Sequence, residues 1–177
     1  MSAHLSLILG GARSGKSRRA EVLAACSLAP VVYVATCATT LADAEMRDRI
    51  GAHQIRRPAN WLTVENRFDL PALFAELSGR TILLDCLTLW LSFHCEAMEE
   101  KFLLDYLRAS LFVAKSNAHN ILIVSNELGM GMVPSNPIGR SFRDLCGRAN
   151  QLVAAEADFV EFQIAGLPLV LKGELLP

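Results

Sequence analysis

The sequence predicts an α/β fold in which a mostly parallel sheet is flanked by helices. Three observations predict it. Short apolar runs rich in Val, Ile and Leu recur along the chain, as in strands buried on both faces. Segments with helical spacing of apolar residues separate these runs. A glycine-rich turn follows the first run, where a strand would pass into a helix. A length of 177 residues suits one domain spanning residues 1–177.

The first part of the chain predicts two strands and two helices. Residues 5–9 (LSLIL) and 31–35 (VVYVA) are almost wholly apolar, which favours buried strands. Residues 16–28 follow the glycine-rich turn and have helical spacing. Residues 42–54 repeat this spacing, and Pro58 should end that helix. This alternation of strand and helix is typical of parallel βαβ units.

The middle of the chain continues the alternation. Residues 81–84 (TILL) and 120–124 (NILIV) predict two further buried strands. Residues 97–117 predict a helix, and residues 137–156 predict another that starts at Pro137, a favoured first helical position. The first of these helices has leucines on one stripe: Leu103, Leu107 and Leu111.

The last segment predicts a strand, a turn and a second strand. Residues 159–164 (FVEFQI) alternate as a half-buried strand does. Gly166 and Pro168 predict a turn into residues 169–172 (LVLK).

Charge and cysteine usage exclude several classes of protein. Lys plus Arg is 17 and Asp plus Glu is 18, so the net charge of −1 argues against a broad electrostatic nucleic-acid binder. Of the 17 basic residues 13 are Arg, which suits bidentate contacts with phosphate. The five cysteines include no CxxC pair, which favours reduced thiols in the cytoplasm. No apolar run approaches the roughly 20 residues of a membrane span.

Residues 10–17 (GGARSGKS) fit the phosphate-binding pattern G-x-x-x-x-G-K-[ST]. Glycines let the backbone N–H groups curl around a phosphate chain, and the start of the following helix adds partial positive charge. Lys16 would reach the β and γ phosphates, and the Ser17 hydroxyl would bind Mg²⁺. The pattern lies between a predicted strand and a predicted helix, which is the context it requires.

Two acids lie at the ends of neighbouring predicted strands. Asp85 follows the run ILL and suits a Mg²⁺-binding acid, although it would also suit a helix N-cap for the segment CLTLWLSF. Glu127, in IVSNELGMG, would orient a nucleophile or assist metal binding, or else anchor the glycine-containing loop 129–131. For Glu127 the two interpretations carry equal weight.

The predicted helix at 42–54 carries a histidine in line with an arginine and a glutamate. Glu45, Arg49 and His53 are spaced to share one helix face. Their pattern alone favours an ordinary surface ladder of salt bridges. The alternative is that His53 acts as a nucleophile toward phosphorus, since neutral imidazole can form a transient phosphoramidate.

Several longer motifs are more specific than the phosphate loop. They are GGARSGKSR at 10–18, YVAT at 33–36, D-x-E-M-x-x-R-I-x-x-H at 43–53, RPANWLTVE at 57–65, LLDCLTLWLS at 83–92, SNELGMGMVP at 125–134, R-x-F-R-D-x-x-G-x-x-N-Q at 140–151 and AGLPLVLK at 165–172. On these motifs the chain resembles, nearly end to end, the bifunctional adenosylcobinamide kinase / adenosylcobinamide-phosphate guanylyltransferase family of cobalamin biosynthesis.

The resemblance implies a P-loop NTPase (RecA-like) domain with two activities. The first phosphorylates adenosylcobinamide with a nucleoside triphosphate, ATP or GTP. The second transfers GMP from GTP to adenosylcobinamide phosphate through a histidine carrier, which matches His53. This match reverses the preference for a surface ladder. The resemblance also implies a homotrimer. The rival interpretations are a single-activity P-loop kinase for another small alcohol and a non-catalytic RecA-like nucleotide-binding module.

The predicted site therefore comprises catalytic and nucleotide-binding residues. The catalytic set is His53, Lys16, Asp85 and Glu127, and the Mg²⁺ ligands are Ser17 and Asp85. Glu65 is expected to meet the donor edge of guanine or to be an exposed charge at a strand end. Arg140 and Arg143 are expected to contact phosphate or to pair with Asp144. The nucleotide-binding set is Gly10, Gly11, Ala12, Arg13, Ser14, Gly15, Lys16, Ser17, Arg18, Cys37, Ala38, Thr39, Gln54, Ile55, Arg56, Arg57, Glu65 and Asp85.

Overall fold

A seven-stranded sheet forms the centre of the computed structural model, which describes residues 4–37, 48, 50–51, 54–117 and 120–174. The strand order is β3-β2-β4-β5-β1-β6-β7, and every pairing is parallel except that of β6 with β7. The predicted α/β class with a mostly parallel sheet is confirmed. The strands are β1 (Leu5–Gly10), β2 (Val31–Ala35), β3 (Leu62–Glu65), β4 (Thr81–Asp85), β5 (Asn120–Asn126), β6 (Phe159–Ile164) and β7 (Leu167–Lys172).

Five helices whose bounds are defined connect these strands within the described residues. Asp69 caps one of them by accepting the Ala72 N–H at 3.1 Å, and Asn136 caps another by accepting the Gly139 N–H at 2.6 Å. The predicted helix at 137–156 has the bounds expected from Pro137. The helices are α1 (Lys16–Ala25), α2 (Leu70–Glu76), α3 (Leu87–His94), α4 (Glu100–Ser116) and α5 (Pro137–Glu156).

The helices cover the sheet as two outer layers. On one face, α1 packs Ala20, Leu23 and Ala24 against alternate residues of the strands, including Ile8 and Leu83. On the other face, α2 to α5 enclose a larger core that contains the fully buried Trp90. The predicted leucine stripe of α4 lies in this core, because Leu103, Leu107 and Leu111 are all buried. The three layers account for the strands being apolar on both faces.

The carboxyl ends of the parallel strands meet at one edge of the sheet. Gly10, Ala35, Glu65, Asp85 and Asn126 are the final residues of β1 to β5. In open α/β sheets this edge is where ligands bind. The predicted phosphate loop and both predicted acids follow or end strands at this edge.

Some elements differ from the prediction. Strand β3 is short and half-exposed, and helix α3 precedes the predicted helix at 97–117. The half-buried pattern expected for β6 is wrong, because Glu161 and Gln163 are both buried beneath the phosphate loop and α1. Pro168 lies within edge strand β7 rather than in the turn, where Ala165 and Gly166 have positive φ.

Most of the predicted helix at 42–54 lies outside the described residues, although 54–56 are helical. Among the described residues, none of the helices is both long and apolar enough to cross a bilayer.

Candidate functional site

The phosphate loop connects β1 to α1 with a tight backbone. Gly15 has φ 96° and Arg13 has φ 56°, so two residues of the loop occupy the left-handed region. The Ser14 N–H donates to the Gly11 carbonyl at 3.3 Å, and the Lys16 ammonium donates to the same carbonyl at 3.0 Å. The loop is therefore curled, and the Lys16 side chain folds back over it.

The β6–β7 turn holds this loop from outside. The Gly166 N–H donates to the Ser14 carbonyl at 2.9 Å. A Cβ on Gly15 would lie 3.3 Å from the Gly166 Cα, so the two backbones approach too closely for a side chain at Gly15. The other end of the loop is tied to β5, because the Glu127 N–H donates to the Gly10 carbonyl at 3.1 Å.

A buried ion pair lies beneath the loop. Glu161 of β6 has no exposed side-chain surface, and both of its oxygens accept from Arg19 Nε at 3.2 Å. The Gln163 amide also donates to Glu161. Arg19 belongs to the first turn of α1, so this pair joins the helix that follows the loop to the strand beside it.

Asp85 ends β4 on the face of the sheet that α1 covers. Side chains two residues apart on a strand share a face, and Leu83 packs in the α1-facing core. The Tyr33 hydroxyl donates to Asp85 Oδ2 at 2.7 Å, and the Thr36 N–H donates to the Asp85 carbonyl at 3.2 Å. Helix α3 has Cys86, not Asp85, at its N-cap, so the capping alternative for Asp85 is wrong.

Tyr33 and Arg57 link Asp85 to a neighbouring cavity. The Arg57 guanidinium lies 3.7 Å from the centroid of the Tyr33 ring. Burial, together with the charge of Asp85, raises the pKa of the Tyr33 hydroxyl, so that it stays protonated at neutral pH. Arg57 also lines a cavity of about 470 Å³ with Gln54, Thr63 and Glu65, among others. The Gln54 amide donates to Glu65 Oε1 at 3.2 Å.

Glu127 anchors the loop that follows it. Its Oε1 accepts the Gly129 N–H at 2.6 Å, which is the anchoring alternative for this residue. The preceding residue, Asn126, is held by two side chains: Thr88 Oγ1 accepts its N–H at 2.9 Å, and the Asn150 amide donates to its carbonyl at 3.1 Å. Glu127 is therefore fixed beside the phosphate loop from both directions.

Other predicted residues have local partners. Arg143 pairs with Asp144 at 3.2 Å, as one alternative expected, and Arg140 donates to the Pro134 and Ser135 carbonyls. Arg56 pairs with Glu21 of α1 at 3.2 Å. The half-buried Cys37 has a pKa raised by burial, and all five cysteines are free thiols. Predicted residues that are exposed on the surface are Ala12, Arg13, Arg18, Gln54, Ile55 and Arg56.

Some of the predicted residues belong to segments that the structure does not describe. His53, Ala38 and Thr39 lie outside the described residues, as do Glu45 and Arg49 of the predicted ladder.

No role was predicted for Tyr33, Asn126 or Glu161, whereas Thr36 belongs to the loop 36–39 that was expected to face the nucleotide. Tyr33 and Asp85 are 52 residues apart and meet only because β2 and β4 pair. Glu161 could have been noticed in the sequence, because it is a carboxylate within a predicted strand. If such a carboxylate is buried, it needs a charged or hydrogen-bonding partner.

The residues present fit a magnesium ion shared with a nucleotide. No cluster of three or more His, Cys, Asp or Glu suited to a metal occurs among the described residues. Mg²⁺ usually takes only one or two protein oxygens together with phosphates and water. The hydroxyl of Ser17 and the carboxylate of Asp85, on the same face of the sheet, are donors of that kind.

Comparisons with known proteins match the chain to one family. Residues 6–171 match the family described as "Cobinamide kinase / cobinamide phosphate guanyltransferase". The chain is 44% identical over 173 residues to the "Bifunctional adenosylcobalamin biosynthesis protein CobP" of Pseudomonas aeruginosa, covering 96% of this chain and 98% of that protein.

Two enterobacterial proteins are also similar. The "Bifunctional adenosylcobalamin biosynthesis protein CobU" of Salmonella typhimurium is 36% identical over 181 residues, and the protein of the same name from Escherichia coli is 34% identical over 182 residues. In both cases the alignment covers 94% of this chain and 98% of the relative. On this similarity the chain belongs to the cobinamide kinase / cobinamide phosphate guanyltransferase family.

Proposed function

We propose that this chain phosphorylates adenosylcobinamide and then transfers GMP from GTP to the product, giving adenosylcobinamide-GDP. Family membership over residues 6–171 carries this proposal, and the phosphate loop supplies the chemistry that both reactions need. ATP or GTP would serve as donor in the first reaction, and GTP in the second.

The phosphate loop would bind the polyphosphate in both reactions. Its backbone N–H groups and the start of α1 attract negative charge, and Lys16 neutralises part of it. Ser17 and Asp85 would hold Mg²⁺, which when bound offsets charge on the phosphate oxygens. The Tyr33 hydroxyl, which donates to Asp85 Oδ2 at 2.7 Å, would keep that carboxylate in position.

For the kinase reaction, Asp85 or Glu127 would orient the attacking hydroxyl of the substrate. Asp85 ends β4 and Glu127 directly follows β5, and these two strands pair with each other, so both acids lie at the carboxyl edge of the sheet. The Glu127 side chain is already engaged by the Gly129 N–H, so movement of loop 129–131 would be needed to free that oxygen.

For guanylyl transfer, we assign the nucleophile to His53. An imidazole nitrogen would attack the α phosphorus of GTP, the bond to pyrophosphate would break, and GMP would remain on the histidine. The phosphate of adenosylcobinamide phosphate would then attack the same phosphorus and release the imidazole. Two in-line displacements predict overall retention of configuration at the α phosphorus.

The cavity beside Arg57 would hold the rest of the nucleotide. Glu65 offers an acceptor for the donor edge of guanine, and Gln54 already shares a hydrogen bond with it. Arg57 would stabilise negative charge on the phosphate, because no carboxylate within the described residues lies within salt-bridge distance of it. We further propose that the protein acts in the cytoplasm as a homotrimer.

Labelled GTP tests the two activities separately. Incubation with α-labelled GTP should leave acid-labile label on the wild-type protein and none on His53→Ala. His4→Ala is the matched control, because His4 is exposed at the amino end of β1, far from the phosphate loop, and should label normally.

The rival functions give different patterns of label. A single-activity kinase would move only γ label onto substrate, and a nucleotide-binding module would leave both labels off substrate and protein. Absence of protein-bound label from α-labelled GTP would refute the histidine carrier.

A further inference from the structure

Tyr33 contacts two parts of the site at once. Its ring is 2% exposed, and it belongs to β2, which pairs with β3 on one side and β4 on the other. Its hydroxyl donates to Asp85 of β4 at 2.7 Å. The face of its ring lies 3.7 Å from the Arg57 guanidinium, which lines the cavity shared with Thr63 and Glu65 of β3.

Arg57 depends on this ring for its position. Within the described residues it forms no ion pair; its Nη1 donates to Thr63 Oγ1 at a long 3.4 Å, and its side chain also interacts with the Tyr33 hydroxyl. Its Nε is buried and has no hydrogen-bond partner there. A guanidinium that stacks on an aromatic face is attracted to it. The Tyr33 ring therefore sets where the cation lies in the cavity wall.

Asp85 depends on the hydroxyl of the same side chain. A hydrogen bond to a carboxylate is stronger than one between neutral groups, and it fixes which way the carboxylate oxygens point. Neither Asp85 nor Arg57 can turn without disturbing Tyr33. The Tyr33 side chain thus connects Asp85, at the end of β4, to Arg57 in the wall of the neighbouring cavity.

We infer that Tyr33 is a positioning residue that couples Asp85 to Arg57. A nucleotide that binds at one of these two side chains would then change the position of the other. This inference rests on the proposed function for its substrate, a guanine nucleotide. A purely structural Tyr33 would keep the same hydroxyl bond but would not respond to nucleotide.

The chain offers a matched pair of variants. It has two tyrosines, and the second, Tyr106, also donates its hydroxyl to an aspartate, Asp69, at 2.9 Å. Asp69 is the N-cap of α2, and Tyr106 lies in α4. Neither residue contacts the predicted site. Tyr33→Phe and Tyr106→Phe therefore delete the same atom and the same kind of bond. Phenylalanine at 33 also keeps an aromatic face for Arg57.

The first readout is independent of catalysis. With an NMR-active carbon at Cζ of tyrosine, the protein gives two signals, assigned by the two variants. At fixed pH, addition of Mg²⁺ and GDP should shift the Tyr33 signal and leave the Tyr106 signal in place. In Arg57→Gln the shift of Tyr33 should shrink. A Tyr33 signal that stays still when GDP binding is seen by calorimetry, or an equal shift of both signals, would overturn the inference.

The second readout is the kinetics of phosphoryl transfer. Losing one hydrogen bond to a charged group predicts that Tyr33→Phe lowers kcat about 10-fold and raises the Mg²⁺ concentration needed for half-maximal rate. Tyr106→Phe should match wild type in both. Equal kinetics for the two variants would contradict the inference. A wild-type protein inactive on adenosylcobinamide would refute the proposed function instead, and the NMR result would still decide the role of Tyr33.

Discussion

Replacing Glu161 by Gln tests whether the buried pair beneath the phosphate loop stabilises the fold. The carboxylate has no exposed surface, whereas the Arg19 side chain retains 17% of its own. Glutamine keeps the shape and one acceptor but removes the charge that offsets Arg19. A hydrogen bond to a charged group contributes about 1.5–3 kcal/mol, and breaking a fully buried pair costs more. Because Arg19 can still reach water, we expect a loss of about 2 kcal/mol in the free energy of unfolding.

Thermal and urea unfolding followed by circular dichroism measure this loss. For a domain of this size, about 2 kcal/mol lowers Tm by roughly 4–8 °C. Glu76→Gln is the matched control, because its pair with Arg67 at 2.9 Å leaves both side chains exposed, at 57% and 43%. Exposed pairs contribute about 0–1 kcal/mol. If Glu161→Gln lowers Tm no more than Glu76→Gln does, the reasoning from burial is wrong.

Two further substitutions test local features. Asp69→Ala removes the cap that accepts the Ala72 N–H and should cost about 1 kcal/mol at pH 7. That hydrogen bond is the main reason why the pKa of Asp69 is lowered, so its contribution is full above the unfolded pKa and is lost as pH falls through the folded one. The difference between variant and wild type in urea unfolding should therefore begin to narrow below about pH 4 and narrow further as pH falls, and a constant difference would contradict this. Gly15→Ala should weaken GDP binding at least about 10-fold by calorimetry, because its φ is positive and its Cβ would press on Gly166. Gly79→Ala has the same sign of φ but open space around it, so it should lower Tm and leave GDP affinity unchanged.

The features that local pattern encodes were predictable from the sequence. Pro137 and the residues after it predicted the bounds of α5, and the leucine stripe predicted the buried face of α4. These predictions succeed because periodicity and capping act over a few residues. Strand β3 was anticipated only through Glu65, which was expected at a strand end, because a strand that is four residues long and half-exposed lacks the apolar run of a buried strand.

The candidate site was predictable only in part, because sequence patterns act over a few residues and the site also depends on contacts between distant strands. The phosphate loop follows from its own residues, and its shape in the structure agrees with the pattern. Contacts between distant strands have no local signal, so the bond from Tyr33 to Asp85 could not be predicted. The alternation of β6 placed Glu161 and Gln163 on an open face, because sequence alone does not show that α1 and the phosphate loop cover that face.

The support of the phosphate loop by the β6–β7 turn has a consequence for the order of folding. Arg19 and Glu161 are 142 residues apart in sequence, and in the part of the chain that the structure describes the partners of β1 are β5 and β6, both from the last third of the chain. During synthesis the loop emerges early but acquires its neighbours late, since pairings of this range have a large loop-closure cost. We therefore expect the chain to bind nucleotide only after β5 and β6 have joined β1 in the sheet.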